Sequence, residues 1–308
     1  MIEVNELTKR YGSKTAVDGL SFTVKPGIVT GFLGPNGAGK STTMRMIMGL
    51  DRPTSGTTTI NGRPYPRLGA PLHEVGALLE ARAVHTGRSA LNHLRAMAAT
   101  TGVPRSRVDE VIDIVGLREV AGKRAGGFSL GMGQRLGIAS ALLGDPNTLI
   151  LDEPVNGLDP EGILWIRRLM QSLAADGRTI FVSSHLMSEM ALTAEHLIVI
   201  GRGKLIADAP VKEFIDRASL NSVRVRSPQA VALYDLLAGP EVTITSVGRG
   251  IFEVSGIGAD EIGDRAAAAG LTLHELSPQQ PSLEEAFMAL THDSVEYATT
   301  PALVGVAA

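Results

Sequence analysis

Short apolar runs alternate with amphipathic segments along the first 215 residues of the chain. Residues 27–33 form an apolar run of strand length, and residues 42–49 place apolar side chains at helical spacing. Residues 89–144 have mostly helical periodicity. This alternation predicts an α/β domain over residues 1–215 with a central sheet and an inserted helical subdomain at about 89–144.

The pattern changes after Pro210, where a helical stretch runs to about residue 220. The elements predicted beyond it are strand 223–226, helix 229–237, strands 242–245 and 251–254, helix 260–269 and strand 271–274. Their β-α-β-β-α-β order predicts a ferredoxin-like α+β domain over residues 216–297. A last amphipathic helix is predicted at 282–290, and the small, featureless residues 298–308 predict a disordered tail.

Residues 34–42 read Gly-Pro-Asn-Gly-Ala-Gly-Lys-Ser-Thr, which matches the phosphate-binding pattern G-x-x-x-x-G-K-[ST]. Glycines let the backbone wrap closely round phosphates, and a helix that starts near Lys40 adds its positive end. Lys40 would reach the β and γ phosphates, and the Ser41 hydroxyl would ligate Mg²⁺. The loop therefore predicts binding of a nucleoside triphosphate.

A second apolar strand, at residues 147–151, ends in the adjacent carboxylates Asp152 and Glu153. Asp152 would hold Mg²⁺ through water, as in other phosphate-loop enzymes. Glu153 points the other way along the strand and is placed to accept a proton from an attacking water. Together with the loop, this pair predicts an ATPase.

Composition and charge further limit the class of protein and its expected partners. The 308 residues are 44% apolar, include no cysteine, and are enough for about two domains. There is no apolar run of membrane-spanning length and no charged-then-apolar leader, so we expect a chain without its own membrane anchor. The net charge of −3 combines +4 over residues 1–215 with −7 over residues 216–308. No dense basic run appears and aromatic residues make up only 4%, so no nucleic-acid partner is expected.

Residues 128–136, Phe-Ser-Leu-Gly-Met-Gly-Gln-Arg-Leu, lie between the two phosphate-site elements and resemble the signature of the ATP-binding cassette family. That signature is usually Leu-Ser-Gly-Gly-Gln, and only its serine and second glycine are matched here. The order of the other motifs supports the resemblance: Tyr11, the loop, the signature, the two carboxylates, the segment Asn-Gly-Leu-Asp-Pro at 156–160, and His185 after an apolar strand. The resemblance covers about residues 1–215.

The resemblance implies roles for individual residues. The implied catalytic residues are Glu153 as general base, His185 as the switch histidine and Lys40. The implied ATP-binding residues are Tyr11, Gly34, Asn36, Gly37, Ala38, Gly39, Lys40, Ser41, Thr42, Thr43, Ser129, Gly131, Met132 and Asp159. The implied Mg²⁺ ligands are Ser41, Asp152 and Glu80. Glu80 departs from the family, which usually has glutamine at this position as a metal ligand and sensor of the membrane partner.

The implied working unit is a head-to-tail dimer of this chain with two ATP molecules at its interface and a separate membrane-spanning permease. Residues 75–80, 128–136 and 281–287 are similar to those of bacterial drug and antibiotic exporters of the bacitracin and daunorubicin type. The resemblance thus implies the ATPase subunit of an exporter, bound to the cytoplasmic face of the plasma membrane.

Two other functions stay open at this point. A soluble cassette ATPase acting on ribosomes, DNA or protein would usually carry two nucleotide domains, long coiled coils or zinc cysteines, which this sequence does not show. A non-hydrolysing regulator would have a degenerate site, whereas Lys40, Asp152, Glu153 and His185 are all present. The C-terminal domain is either a docking or dimer-steadying module or an effector-binding site.

Overall fold

The computed structural model describes residues 1–80, 84–217, 222–279 and 281–291. The chain divides into two compact units, with Met1–Pro210 in the first and Val211–His292 in the second. The predicted tail at 298–308 lies outside the described residues. None of the helices in the described ranges is long and apolar enough to cross a bilayer.

The first unit follows the predicted alternation of strands and helices. Its elements are β1 Ile2–Tyr11, β2 Lys14–Val24, β3 Val29–Leu33, α1 Lys40–Ile47, β4 Ser55–Ile60, α2 Pro71–Glu74, β5 Val75–Leu78, α3 Ala90–Thr101, α4 Arg105–Ile114, α5 Leu130–Leu142, β6 Thr148–Leu151, α6 Pro160–Ala175, β7 Thr179–Ser183, α7 Met187–Thr193, β8 His196–Gly201 and β9 Lys204–Pro210.

A six-stranded sheet with the order β5-β6-β7-β3-β8-β9 forms the centre of this unit. The first five strands are parallel, and β9 pairs antiparallel with β8 at the edge. A separate antiparallel sheet, β2-β1-β4, shares a hydrophobic core with it. The rings of Phe22, Phe32 and Phe181 meet in that core with centroids 5.0–5.8 Å apart. The predicted α/β fold is therefore confirmed.

The strand order places the chemistry of the site at one edge of the sheet. β3, β6 and β7 are buried along their whole length and lie side by side, so their carboxyl ends meet. The phosphate loop follows β3, the carboxylates follow β6, and His185 follows β7. A parallel sheet binds ligands at such an edge.

The helices α3, α4 and α5 form the predicted helical segment. Serine side chains cap two of them: Ser89 accepts from the amide of Asn92, and Ser129 accepts from that of Met132, both at 3.2 Å. Each cap satisfies one donor that the first turn of the helix leaves free. Ser89 caps the start of α3, and the chain turns after α5 at residues 143–144.

The second unit contains α8 Val211–Arg217, β10 Ser222–Arg226, α9 Ala230–Leu237, β11 Thr243–Gly248, β12 Ile251–Ser255, α10 Ala259–Ala268, β13 Glu275–Gln279 and α11 Leu283–Thr291. Its sheet has the antiparallel order β11-β12-β10-β13. The last strand was predicted at residues 271–274, and this is wrong. The Ser227 hydroxyl binds the Thr272 carbonyl at 2.8 Å, and the Thr272 amide binds Gln229, so the ladder begins only at Glu275.

Candidate functional site

One cleft of about 270 Å³ brings the phosphate loop and the two carboxylates together. Its lining consists of Ala16, Asn36, Gly37, Ala38, Gly39, Lys40, Ser41, Thr42, Asp152 and Glu153. Two segments more than a hundred residues apart in sequence thus meet at the carboxyl edge of the sheet. Gly34, also predicted to bind the nucleotide, does not line this cleft. The Thr43 hydroxyl donates instead to the Gly39 carbonyl, at 2.9 Å within the helix.

The loop backbone can be formed only by glycine at two positions. Gly39 has φ +104°, and a Cβ there would lie 2.5 Å from the Ala16 carbonyl oxygen. A Cβ on Gly34 would lie 2.5 Å from the Ile200 carbonyl oxygen. Because Gly39 caps α1 without a side chain, no side-chain cap binds the first amides of this eight-residue helix, whose residues Lys40, Ser41 and Thr42 line the cleft. Such amides, together with the helix dipole, favour an anion.

Lys40 is held inside the loop with only 8% of its surface exposed. Its Nζ donates to the Gly34 carbonyl at 2.6 Å and to the Pro35 carbonyl at 3.3 Å. Burial lowers the pKa of Lys40 from its usual 10.5, and the nearby carboxylates of Glu153 and Asp152 oppose that shift. The lysine is therefore a largely desolvated donor, whose interaction with phosphate charge would be stronger than that of a solvated one.

Ser183, at the end of β7, holds both carboxylate residues in place. Its hydroxyl donates to Asp152 Oδ1 at 2.5 Å and accepts from the Glu153 amide at 3.0 Å. The Asp152 amide donates in turn to the Leu78 carbonyl at 2.7 Å. Ser183 has no exposed surface, so its hydroxyl has a fixed orientation. Its place at the end of an apolar strand gives no local signal of this role.

Glu153 has the left-handed φ of +52°, which is strained for a residue with a side chain. Its carboxylate contacts His185, with Oε2 2.7 Å from Nδ1 and 3.3 Å from the backbone amide. The Glu153 carbonyl accepts from Gln134 Nε2 at 3.0 Å. The structure thus brings the predicted base and the predicted switch histidine into direct contact, and Gln134 is a second buried residue that the sequence analysis missed.

Tyr11 lies beside the loop rather than in the cleft. Its hydroxyl donates to Asp51 at 3.3 Å, and the side chain of Thr42 also contacts it. Arg45 binds Asp51 through two hydrogen bonds of 2.8 and 3.2 Å and holds the pKa of that carboxyl below its usual 3.8. Lys9 Nζ lies 4.9 Å from the ring centroid. One half of the tyrosine surface remains exposed for contact with a base.

Four of the predicted ATP-binding residues lie away from the cleft, on the face formed by the start of α5 and the start of α6. Ser129 and Met132 make the α5 cap, and the Asp159 carboxylate caps α6 by accepting from the Gly162 amide at 2.9 Å. Gly131, near them, would place a Cβ 2.7 Å from the Gly157 carbonyl oxygen. Within one chain these residues do not line the phosphate cleft.

Glu80 also lies outside the phosphate cleft. It is exposed and lines a different cleft of about 330 Å³, whose other lining residues include Arg45, Leu50 and Met97. Glu80 is one of the groups that raise the pKa of Arg45, after Asp51. The predicted metal ligands Ser41 and Asp152 share the phosphate cleft, and Glu80 does not line it.

The amino-acid sequence is similar to those of known proteins. Residues 17–156 match the family described as "ABC transporter". The bacitracin transport ATP-binding protein BcrA of Enterococcus faecalis is 34% identical over 94% of this chain and 96% of its own length. The chain belongs to the ATP-binding cassette family. BcrA of Bacillus licheniformis is 46% identical over 68% of this chain and 70% of its own length.

Solved structures agree at the level of the fold. An ATP-binding subunit of an ABC transporter has a TM-score of 0.65 and 26% identity, covering 70% of this chain and 92% of its own. CbiO1 of Clostridium perfringens has a TM-score of 0.60 and 29% identity, and the match covers 69% of this chain and 89% of CbiO1. Residues 221–284 match a family described as a domain of unknown function. The predicted recognition as an ATP-binding cassette subunit with ATPase activity is thus confirmed.

Proposed function

We propose that this chain is the Mg²⁺-dependent ATPase subunit of an exporter for antibiotic compounds. The observation that supports it most is the meeting of helix amides without a side-chain cap, Lys40 and two carboxylates in one cleft. The names of its relatives, which include transport proteins for bacitracin and lantibiotics, support the substrate class.

In the proposed reaction, the loop amides and Lys40 stabilise the charge on the β and γ phosphates. Glu153 takes the proton of the attacking water, and its contact with His185 keeps the carboxylate aimed and supplies a second group near the γ-phosphate. Because catalysis of phosphoryl transfer rests mainly on positioning and electrostatics, fixed donors in a partly buried cleft suit this step.

The residues around the cleft also fit Mg²⁺. Ser41 and Asp152 supply one hydroxyl and one carboxylate, the small oxygen set that this ion takes beside nucleotide phosphates and water. No cluster of three or more acidic, histidine or cysteine side chains occurs in the described ranges, so the chain offers no self-contained metal cage there. The ion would neutralise charge on the β and γ phosphates.

A second copy of the chain would complete the site. Ser129, Gly131, Met132 and Asp159 lie on a face outside the cleft, and in a head-to-tail pair they would contact the ATP held by the other copy. Closure of the pair on two ATP molecules would shift the conformation of a membrane-spanning permease, because ATP binds the closed state more tightly. The chain would then work at the cytoplasmic face of the plasma membrane.

The test combines turnover and partner capture. Purified chain should hydrolyse ATP only with Mg²⁺, and Lys40→Ala should abolish turnover. The tagged chain, captured from gently solubilised native membranes, should bring with it a multi-span protein that lacks a nucleotide site. Capture of ribosomes, DNA or soluble proteins alone would refute the exporter proposal, and turnover without Mg²⁺ would refute the proposed chemistry.

A further inference from the structure

Gln134 is a buried polar side chain whose hydrogen bond the reaction above does not use. It lies in α5 with 2% of its surface exposed, and its Nε2 donates to the Glu153 carbonyl at 3.0 Å. α5 begins immediately after Ser129, on the face proposed to contact the other copy's ATP. One helix therefore connects that face to the backbone of the chain's own catalytic base.

The backbone at Glu153 depends on its neighbours for its conformation. Its φ of +52° is costly for a residue with a side chain, and such conformations persist only where contacts fix them. The amide is bound by Ser183 at 3.0 Å, and the carbonyl accepts from Gln134 at 3.0 Å and from the Asn156 amide at 3.2 Å. Of these three hydrogen bonds, only the one from Gln134 comes from α5.

α5 touches the same loop at a second point. The start of the helix packs so closely on the loop that a Cβ on Gly131 would lie 2.7 Å from the Gly157 carbonyl oxygen, and a Cβ on Gly157 would lie 2.3 Å from Leu130 Cγ. The loop then ends at Asp159, the cap of α6. Because a packed interface resists gradual deformation, a shift at the start of α5 has to move the loop and Glu153 with it.

We infer that Gln134 is a positioning residue that couples the two ATP sites of the dimer. ATP held by one copy, when it engages the start of α5 in the other, sets the position of Glu153 in that second copy through the Gln134 hydrogen bond. Each site then hydrolyses ATP in response to occupancy of its neighbour. This inference rests on the proposed two-copy arrangement.

The test is the ATP dependence of turnover in the full-length chain. Gln134→Met keeps the volume of the side chain and removes its donor, while the Glu153 carbonyl retains its bond from Asn156. Gln134→Glu, which keeps the shape, is the second variant. The matched control is Gln171→Met, because Gln171 also donates to a backbone carbonyl, that of Leu192, at 3.0 Å, yet is exposed and does not line the phosphate cleft.

The wild type and Gln171→Met should show a Hill coefficient near the limit of about 2 that two sites allow. Both Gln134 variants should fall to about 1 and lose roughly fivefold to tenfold in kcat, the effect expected from one lost hydrogen bond. Their equilibrium affinity for ATP should stay within about twofold of wild type, since neither variant touches the phosphate cleft.

The possible results distinguish a failure of the coupling role of Gln134 from a failure of the two-copy arrangement. If the wild type is cooperative and the Gln134 variants have the same Hill coefficient, the coupling role of Gln134 is wrong. The two-copy proposal would still stand. A loss of kcat without a change in the Hill coefficient would also overturn the coupling role, because that result describes a purely local support. A monomeric wild type with hyperbolic turnover would overturn the two-copy proposal itself.

Discussion

Ser183→Ala should weaken both catalysis and the stability of the fold. The change removes one hydroxyl that serves both carboxylate residues, since it donates to Asp152 Oδ1 at 2.5 Å and accepts from the Glu153 amide at 3.0 Å. Alanine cannot replace either bond, and the position has no exposed surface through which water could enter.

The magnitude follows from the two bonds. A hydrogen bond to a carboxylate contributes about 1.5–3 kcal/mol, and an unpaired buried amide costs about 1–3 kcal/mol. Allowing for relaxation around the partly exposed Asp152, we expect the free energy of unfolding to fall by roughly 2–4 kcal/mol. Released from its amide contact, Glu153 loses alignment with the attacking water. A displacement of about 1 Å can cost on the order of a hundredfold in rate, so we expect kcat/KM to fall by about 10- to 100-fold.

The assay is steady-state ATP hydrolysis at several Mg²⁺ concentrations, with thermal unfolding measured on the same samples. The matched control is Thr148→Val in β6, because the Thr148 hydroxyl is equally buried but has no hydrogen-bond partner. That variant should keep its activity and its stability. If Ser183→Ala folds and retains wild-type kcat/KM and Mg²⁺ dependence, the positioning role assigned to Ser183 is wrong.

Four further changes test other parts of the site. Glu153→Gln should reduce turnover by about 10²- to 10⁴-fold while retaining ATP, and gel filtration with saturating ATP should show a dimer; a monomer would count against the sandwich. Gly39→Ala should abolish ATP binding in a calorimetric titration, because its φ of +104° and a 2.5 Å contact exclude a Cβ. Asp51→Ala should free Tyr11 and raise the Kd for ATP by roughly two- to tenfold, with kcat unchanged. Glu80→Gln should leave the turnover of the isolated chain within about twofold, because Glu80 does not line the phosphate cleft.

The two segments that meet in the cleft were predictable because each of them is contiguous in sequence. A glycine-rich loop between a buried strand and a helix specifies its own backbone, so Lys40 and Ser41 were identified without any knowledge of tertiary structure. Asp152 and Glu153 were identified in the same way, from a strand that ends in two carboxylates. Such motifs carry their geometry within about ten residues.

Ser183 and Gln134 were missed for the opposite reason. Their contacts with Glu153 span 30 and 19 residues in sequence and exist only once β6, β7 and α5 have packed together. A serine at the end of an apolar strand and a glutamine in a helix are common, and nothing in their local pattern distinguishes them. The misplaced last strand has a similar cause, because Ser227, 45 residues earlier in sequence, binds Thr272 and delays the start of β13.

Glu80 occupies a motif position that predicts a metal ligand, but in the fold it does not line the phosphate cleft. The family pattern assigns this position to the metal, yet Glu80 is exposed in a neighbouring cleft beside Arg45 and Leu50. Arg45 also binds Asp51, which in turn binds Tyr11. A partner pressing on Glu80 would therefore act first on the residues around Arg45, on the side of the site that holds Tyr11. The pKa of Arg45 is raised first by Asp51 and also by the charge of the Glu80 carboxylate, which glutamine lacks. We therefore expect the effect of Glu80→Gln to emerge in the complex with the permease, as altered stimulation of ATP turnover.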